Sequence, residues 1–141
     1  MSIKIEVFGN PAPQGSKAVY HGRVVEQSAK TLKPWRKAIA DACHEWVTDD
    51  HIFLLGPVQV EIDFYLARPA SVKLTKRAFP IVPPDIDKLC RSTLDGISQG
   101  LNGKVGNGLI WGDDALVVVL IARKYYADDR LPGADITISA L

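Results

Sequence analysis

The chain has 141 residues, a length that fits a single domain. Hydrophobic residues make up 47% and charged residues 23% of it, which excludes a collagen-like, low-complexity or wholly disordered protein. The net charge of +1 by itself predicts neither a nucleic-acid partner nor a membrane partner. We therefore expect one self-folding domain over residues 1–141.

Cysteine usage and hydropathy limit the cellular setting. Cys43 and Cys90 stand far apart without a C-x-x-C motif, so the sequence predicts neither a zinc site nor a disulfide framework. The N-terminus lacks the long apolar core of a signal peptide, and no apolar stretch approaches the roughly 20 residues that span a bilayer. We therefore expect a soluble cytoplasmic protein with no membrane partner.

Basic residues are segregated into two blocks. Six of them lie between Gln14 and Lys37 with a single acid, Glu26, among them. Four more lie between Ala67 and Arg77 with no acid. Such blocks are typical of either a solvated face or a surface that contacts a polyanion.

The first quarter of the chain predicts a strand, a loop and a short hairpin arm. Apolar and polar residues alternate over 3–7, the period of a strand with one buried face. Residues 11–17 hold two prolines and a glycine without periodicity, which predicts a loop with a basic end. Residues 20–25 fit a short strand or hairpin arm.

A helix and a long strand follow. Ser28 is a candidate helix cap and Pro34 suits a first turn, and apolar residues recur at steps of three and four from Trp35 to about Val47, which predicts an amphipathic helix. Residues 58–66 then alternate cleanly between apolar and polar, as in a half-buried strand. Arg68-Pro69 ends that strand.

The middle of the chain predicts a second helix between two irregular segments. Prolines between residues 80 and 84 leave an extended approach to Asp85. Apolar residues then have helical spacing from Asp87 to Leu101. Residues 99–108 contain four glycines and predict a flexible loop.

Two strands complete the predicted fold. Residues 115–122 form a β-branched and aliphatic run that is typical of a strand covered on both faces. Apolar and polar residues alternate over 135–139, which predicts a last strand. Because the strands do not follow simple β-α-β alternation, we expect an α+β fold, with two main helices packed on a mixed sheet.

Carboxylates cluster at two places in this fold. Asp85 and Asp87 lie one residue apart where an extended segment meets a helix, and Asp113-Asp114 opens a strand. A third carboxylate brought to a D-x-D pair completes the oxygen-rich site that Mg²⁺ or Mn²⁺ accepts. Alternatively, Asp85 or Asp87 caps the helix and Asp113-Asp114 forms a turn.

Three stretches together form a longer motif. They are PDIDKLCRSTLDG at 84–96, WGDDA at 111–115 before a valine-rich strand, and GNPAPQGSK at 9–17. This combination resembles the RusA-like Holliday junction resolvases, a family common in phages and prophages. The resemblance covers most of the chain and implies a RusA-like nuclease domain that acts in a bacterial host cell.

The resemblance also implies the site residues. In that family the D-x-D aspartates and the second aspartate of the later pair form the acidic metal site, here Asp85, Asp87 and Asp114, with Mg²⁺ as the cofactor and Mn²⁺ as an alternative. The family's further catalytic residue is a lysine, and Arg91 occupies its position. Because arginine does not donate a proton near neutral pH, only a phosphate-contacting or carboxylate-orienting role transfers. Lys88 replaces the family's usual asparagine.

In a nuclease of this kind, we expect the basic residues to contact DNA. Metal ions at the acidic site would neutralise charge that develops on the phosphate and lower the pKa of an attacking water. The residues predicted to contact DNA are Lys17, Arg68, Lys73, Lys76, Arg77 and Lys88. Family members usually have a shorter turn in place of 99–108, so this loop is either tolerated surface chain or places Lys104 at the branch point.

Cutting a four-way junction requires paired nicks, and one small domain with one site makes one nick. The sequence therefore predicts a homodimer, as the resemblance also implies, joined through the apolar side of Trp35 and Trp46 or through the exposed edge of the sheet. The Arg91 replacement also motivates an alternative, a branched-DNA-binding protein of the same fold that has lost catalysis. A D-x-D glycosyltransferase is disfavoured because the chain is short and lacks repeated β-α units.

Overall fold

In the computed structural model, residues 2–15, 17–26, 29–47 and 53–141 are described. The elements, in chain order, are β1 Ser2–Phe8, β2 Lys17–Tyr20, β3 Arg23–Glu26, α1 Ala29–Trp46, β4 Val58–Leu66, α2 Ile86–Ser98, β5 Val117–Tyr126 and β6 Gly133–Ala140. One turn of 3-10 helix, Asp114–Leu116, precedes β5. No helix among the described residues is long and apolar enough to cross a membrane.

The main sheet has four strands in the order β1-β6-β4-β5. Strands β4 and β5 are parallel, whereas β6 is antiparallel to both β1 and β4. This confirms the predicted α+β fold with a mixed sheet. The alternation in β4 directs Val58, Val60, Ile62 and Phe64 into the core, where all four are fully buried.

Residues 20–25, predicted as a short strand or hairpin arm, contain the end of β2, a two-residue turn and most of β3. The two strands pair antiparallel and form a separate two-stranded sheet. His21 and Gly22 join them with φ values of 49° and 74°, the left-handed conformation that favours a glycine in two-residue hairpin turns. The hairpin follows directly from the loop at residues 11–15.

Helix α1 packs its apolar face on the sheet and on α2. Trp35 and Ile39 are buried, and the indole N–H of Trp35 donates to the Thr93 hydroxyl at 3.3 Å. Pro34 is the sixth helical residue and lies in the second turn, so its predicted place in the first turn is wrong. The predicted cap Ser28 lies outside the described residues.

The start of β5 corrects one expectation. A strand covered on both faces was predicted there, yet Val118 is 62% and Leu120 43% exposed. The reason is topological: among the described residues, β5 pairs only with β4 and forms an edge of the sheet. An apolar run usual for an inner parallel strand therefore lies at an open edge.

The glycine-rich segment 99–108 has a defined path against the end of α2. Its backbone is joined by hydrogen bonds from Gly100 N–H to the Lys104 carbonyl at 3.1 Å and from Gly106 N–H to the Ser98 carbonyl at 2.9 Å. A side chain at Gly108 would collide with the carbonyl oxygen of Trp111, which explains a glycine at that position. Its flexibility in solution stays a prediction.

Candidate active site

The D-x-D pair stands at the first turn of α2. Asp85 occupies the N-cap position with extended backbone, φ −70° and ψ 142°, but its side chain makes no capping hydrogen bond. The alternative that Asp85 or Asp87 caps the helix is thus confirmed for the position of Asp85, but not for a capping hydrogen bond from its side chain. Its carboxylate instead lies 3.8 Å from the ammonium group of Lys88, and Asp87 follows in the first helical turn.

The second acidic pair divides its roles. The Asp113 carboxylate accepts a hydrogen bond from the Ala115 N–H at 2.9 Å and so caps the 3-10 turn. The alternative that Asp113-Asp114 forms a turn is thus confirmed, with Asp113 as its cap and Asp114 as its first residue. Asp114 is left to face a pocket between α2 and β5.

That pocket, about 460 Å³ in volume, is open to solvent and is lined by three of the four predicted catalytic residues, Asp87, Arg91 and Asp114. Asp85 is not part of its lining. The remaining walls are apolar and come from both elements: Ile86, Cys90, Leu94, Leu120 and Ala122. The structure thus brings two carboxylates and a guanidinium group to one open pocket with apolar walls.

Negative charge accumulates in this pocket. Burial raises the pKa of Asp114, and the nearby carboxylates of Asp95 and Asp113 raise it further. Burial likewise raises the pKa of the Cys90 thiol to about 11, with the Asp87 carboxylate as a second cause. The thiol is therefore protonated and no nucleophile at neutral pH, whereas the crowded carboxylates favour a bound cation.

The donor set fits a magnesium ion that is only partly enclosed by protein. Within the described part of the chain, no group of three or more His, Cys, Asp or Glu side chains is close enough to hold a metal ion. Mg²⁺, however, usually keeps several waters and binds through one or two carboxylates together with substrate phosphates. Asp87 and Asp114 place two carboxylates at one pocket, and metal binding by these two and by Asp85 stays a prediction.

The N-terminal loop forms the wall beside Arg91. The Gln14 N–H donates to the Lys88 carbonyl at 3.1 Å, and the Gln14 side-chain amide donates to the Asp95 carboxylate at 2.7 Å. A Cβ at Gly15 would lie 3.3 Å from a terminal nitrogen of Arg91. Gln14 and Asp95 lie within the quoted motifs, but sequence reasoning missed the contact between them, because 81 residues separate them along the chain.

Two further side chains anchor the acidic segments. Lys124 on β5 donates to the carbonyl oxygens of Val82 and Pro84, at 3.2 and 2.9 Å, just before the D-x-D pair. The indole N–H of buried Trp111 donates to the Ser98 hydroxyl at 2.7 Å, just before the second pair. Trp111 lay within a quoted motif, whereas nothing in the sequence marked Lys124.

The predicted DNA-contacting residues have different surroundings. The Arg68 guanidinium pairs with the Asp128 carboxylate at 2.6 and 3.0 Å and lies over the Tyr126 ring. Arg77 donates to the Tyr126 hydroxyl at 2.8 Å. These two arginines thus help to hold their own loop against the end of β5. Their contact with DNA stays a prediction.

The four lysines predicted to contact DNA also differ in their surroundings. Lys73 and Lys76 are exposed on the same loop. Lys88 is half-buried beside Asp85. Lys17 begins β2, and its side chain lies outside what the structure describes. For these four lysines too, DNA contact stays a prediction.

Comparison with known proteins gives one family and one relative. The family model described as "Endodeoxyribonuclease RusA" matches residues 9–139, a span that includes the N-terminal loop, both acidic segments and Lys124. Among curated proteins, the chain is similar to the uncharacterized protein YqaN of Bacillus subtilis (strain 168). The two are 25% identical over 138 residues, which is 90% of this chain and 89% of that protein.

Proposed function

This chain belongs to the RusA endodeoxyribonuclease family, and from that premise we propose that it is a Mg²⁺-dependent endonuclease that resolves Holliday junctions and related branched DNA. The observation that carries the proposal is the shared pocket of Asp87, Asp114 and Arg91. The enzyme would make paired nicks that serve recombination and repair of DNA in the cytoplasm of a bacterial cell. Mn²⁺ would be a substitute for Mg²⁺.

In this mechanism Asp87 and Asp114 would hold the metal, with Asp85 as the third predicted ligand. The bound ion would supply charge neutralisation at the scissile phosphate and a water of lowered pKa. Arg91, on the same wall of the pocket, presents a planar guanidinium that suits two oxygens of that phosphate. Since arginine keeps its proton near neutral pH, the proton for the leaving oxygen comes from solvent.

The proposed homodimer follows from the need for two nicks. Trp35 is buried in the core, so the apolar side of α1 is occupied within one copy and the sheet edge remains as the candidate interface. Val118, Val119 and Leu120 are exposed there on β5, and open apolar edges are usually covered. Because Leu120 also lines the acidic pocket, a two-fold axis at this edge would bring two pockets near each other.

A second candidate function is supported by Arg91, which stands where the family resemblance implies a catalytic lysine. A protein of this fold that has lost catalysis would bind branched DNA without cutting it. Both candidates would bind branched DNA, but only the endonuclease would cut it.

The test compares a labelled four-way junction with a linear duplex of the same sequence, in Mg²⁺ and in EDTA. We expect metal-dependent, symmetrically paired nicks in the junction and little cleavage of the duplex. Tight junction binding without nicks would favour the second candidate. Neither binding nor cleavage would contradict both.

A further inference from the structure

A groove of about 520 Å³ lies between α1 and the loop 99–108, outside the acidic pocket. Its α1 side carries Lys33, Arg36 and Lys37, and its loop side includes Leu101 and Asn102. Buried residues Leu32 and Ala40 form an apolar floor. The groove therefore combines a cationic wall with an apolar base.

The cations of this groove are only partly neutralised. Helix α1 carries four basic residues before its first acid, Asp41. Lys37 pairs with Asp41 at 2.7 Å in an exposed i,i+4 contact. Among the described residues, no carboxylate pairs with exposed Lys30 or Lys33. A net positive face is left on the first half of the helix.

This charge arrangement opposes the stability of the helix itself. The amino-terminal end of a helix carries the positive end of its dipole and favours acidic side chains, yet the first turn of α1 has none. Lys30, Lys33 and Lys37 also follow one another at steps of three and four, where like charges repel. An anion bound along this face would relieve both repulsions.

Arg36 is held in place at the groove. Its Nε donates to the side-chain oxygen of Gln99 at 2.9 Å, and Gln99 is buried at the end of α2. A guanidinium group has five N–H donors, so this bond leaves others for a ligand. Arg36 is thus a fixed cation, in contrast to the exposed lysines around it.

We propose that this groove holds the sugar–phosphate backbone of the DNA substrate at a second contact, remote from the acidic pocket. The proposal rests on the proposed function, which makes the ligand a DNA. At ~1.5 Å per residue, the groove at Gln99 lies about 18 Å along α2 from Asp87, so one arm of a branched substrate would span both. Phosphates would meet Lys33, Arg36 and Lys37, and sugars would lie on the apolar floor.

The test measures binding of a fluorescent four-way junction in EDTA at several salt concentrations. Lys33→Gln removes one groove cation, and Lys4→Gln is the matched control, because Lys4 is an exposed lysine on the face of β1 that points away from the core and from α1. For Lys33→Gln we expect binding roughly three- to tenfold weaker and a salt slope smaller by about 0.9, the loss of one phosphate contact. Lys4→Gln should match wild type.

A reverse change and a rate measurement sharpen the result. Asp41→Asn removes the acid of the groove and should tighten junction binding. Single-turnover cleavage by Lys33→Gln should be slower than wild type at limiting protein and should recover as the protein concentration is raised, because the groove acts by binding DNA. A variant with a disturbed acidic pocket would instead stay slow at every protein concentration.

Three results would overturn the proposal. One is a Lys33→Gln affinity and salt slope equal to those of Lys4→Gln, while the wild type binds and cuts junctions; this would leave the proposed function standing. Another is unchanged DNA affinity with weakened binding of polyglutamate, which would assign the groove to an acidic protein. A wild type that binds no junction would overturn the groove and the proposed function together.

Discussion

Lys124 donates a hydrogen bond from β5 to the carbonyl oxygen of Pro84 at 2.9 Å, one residue before Asp85. A second bond, to the Val82 carbonyl at 3.2 Å, fixes the same segment. Since β5 also follows directly on the segment of Asp114, one lysine ties together the two chain segments that supply the acidic pocket. Lys124 is therefore a positioning residue for the candidate metal site.

We predict that Lys124→Met lowers the single-turnover cleavage rate about tenfold and leaves junction affinity unchanged. Hydrogen bonds to charged groups contribute roughly 1.5–3 kcal/mol, and part of this contribution is lost to solvent because Lys124 is only half-buried. Lys124→Arg should restore part of the rate, and Lys4→Met serves as the control. Weakened affinity with an unchanged rate would make Lys124 a DNA contact instead.

Gly15 sets the space available to Arg91. Its φ of 121° is rarely adopted by other residues, and a Cβ there would lie 3.3 Å from the Arg91 guanidinium. We predict that Gly15→Ala shifts the Arg91 guanidinium by a few tenths of an ångström and lowers the cleavage rate several-fold, less than the roughly 10²-fold loss expected for Arg91→Ala. The measurement is single-turnover cleavage, with thermal unfolding to separate misfolding. A normal rate for Gly15→Ala would show that the position of Arg91 is not critical.

Arg91→Lys tests the departure from the family motif. Lysine restores a side chain able to donate a proton, at the cost of the planar fork. We predict that this variant retains at least the wild-type cleavage rate, with a rate that falls at high pH as the lysine deprotonates. A pH–rate profile of both proteins checks this. A rate as low as that of Arg91→Ala would contradict it.

The crowding at Asp114 predicts a stability change with a definite sign. Its pKa in the folded protein is raised above the usual value of 3.8. The folded state therefore loses stability as the pH rises from this usual value through the raised pKa, because the charged carboxylate is disfavoured in the fold. Asp114→Asn should therefore raise the melting temperature at pH 7 and have little effect at pH 3. Mg²⁺ should raise the melting temperature of the wild type and not that of the variant. Equal shifts with Mg²⁺ would remove Asp114 from the metal site.

Much of the fold could be predicted because its signals are local. Alternation over 58–66 and helical spacing after Asp87 depend on neighbouring residues only. The edge position of β5 is set by the topology of the whole sheet, and its β-branched composition is usual in inner strands. Composition therefore misled the prediction of burial at Val118.

The candidate site could likewise be predicted only where its signals are local. Asp87, Arg91 and Asp114 belong to two short motifs and were predicted, whereas the bond between Gln14 and Asp95 joins residues 81 positions apart. Basic charge alone predicted a DNA contact for Arg68. Its pairing with Asp128, 60 residues away, depends on the folded chain.

The endonuclease activity and its acidic site are tested most directly by cleavage of an end-labelled four-way junction by the wild type and by Asp87→Asn, each with Mg²⁺ and with EDTA. We predict symmetrical paired nicks by the wild type in Mg²⁺ alone, and at least ~10²-fold slower cleavage by a variant that still binds the junction. Cleavage in EDTA, equal cleavage by the two proteins, or junction binding by the wild type without any nicks would contradict it.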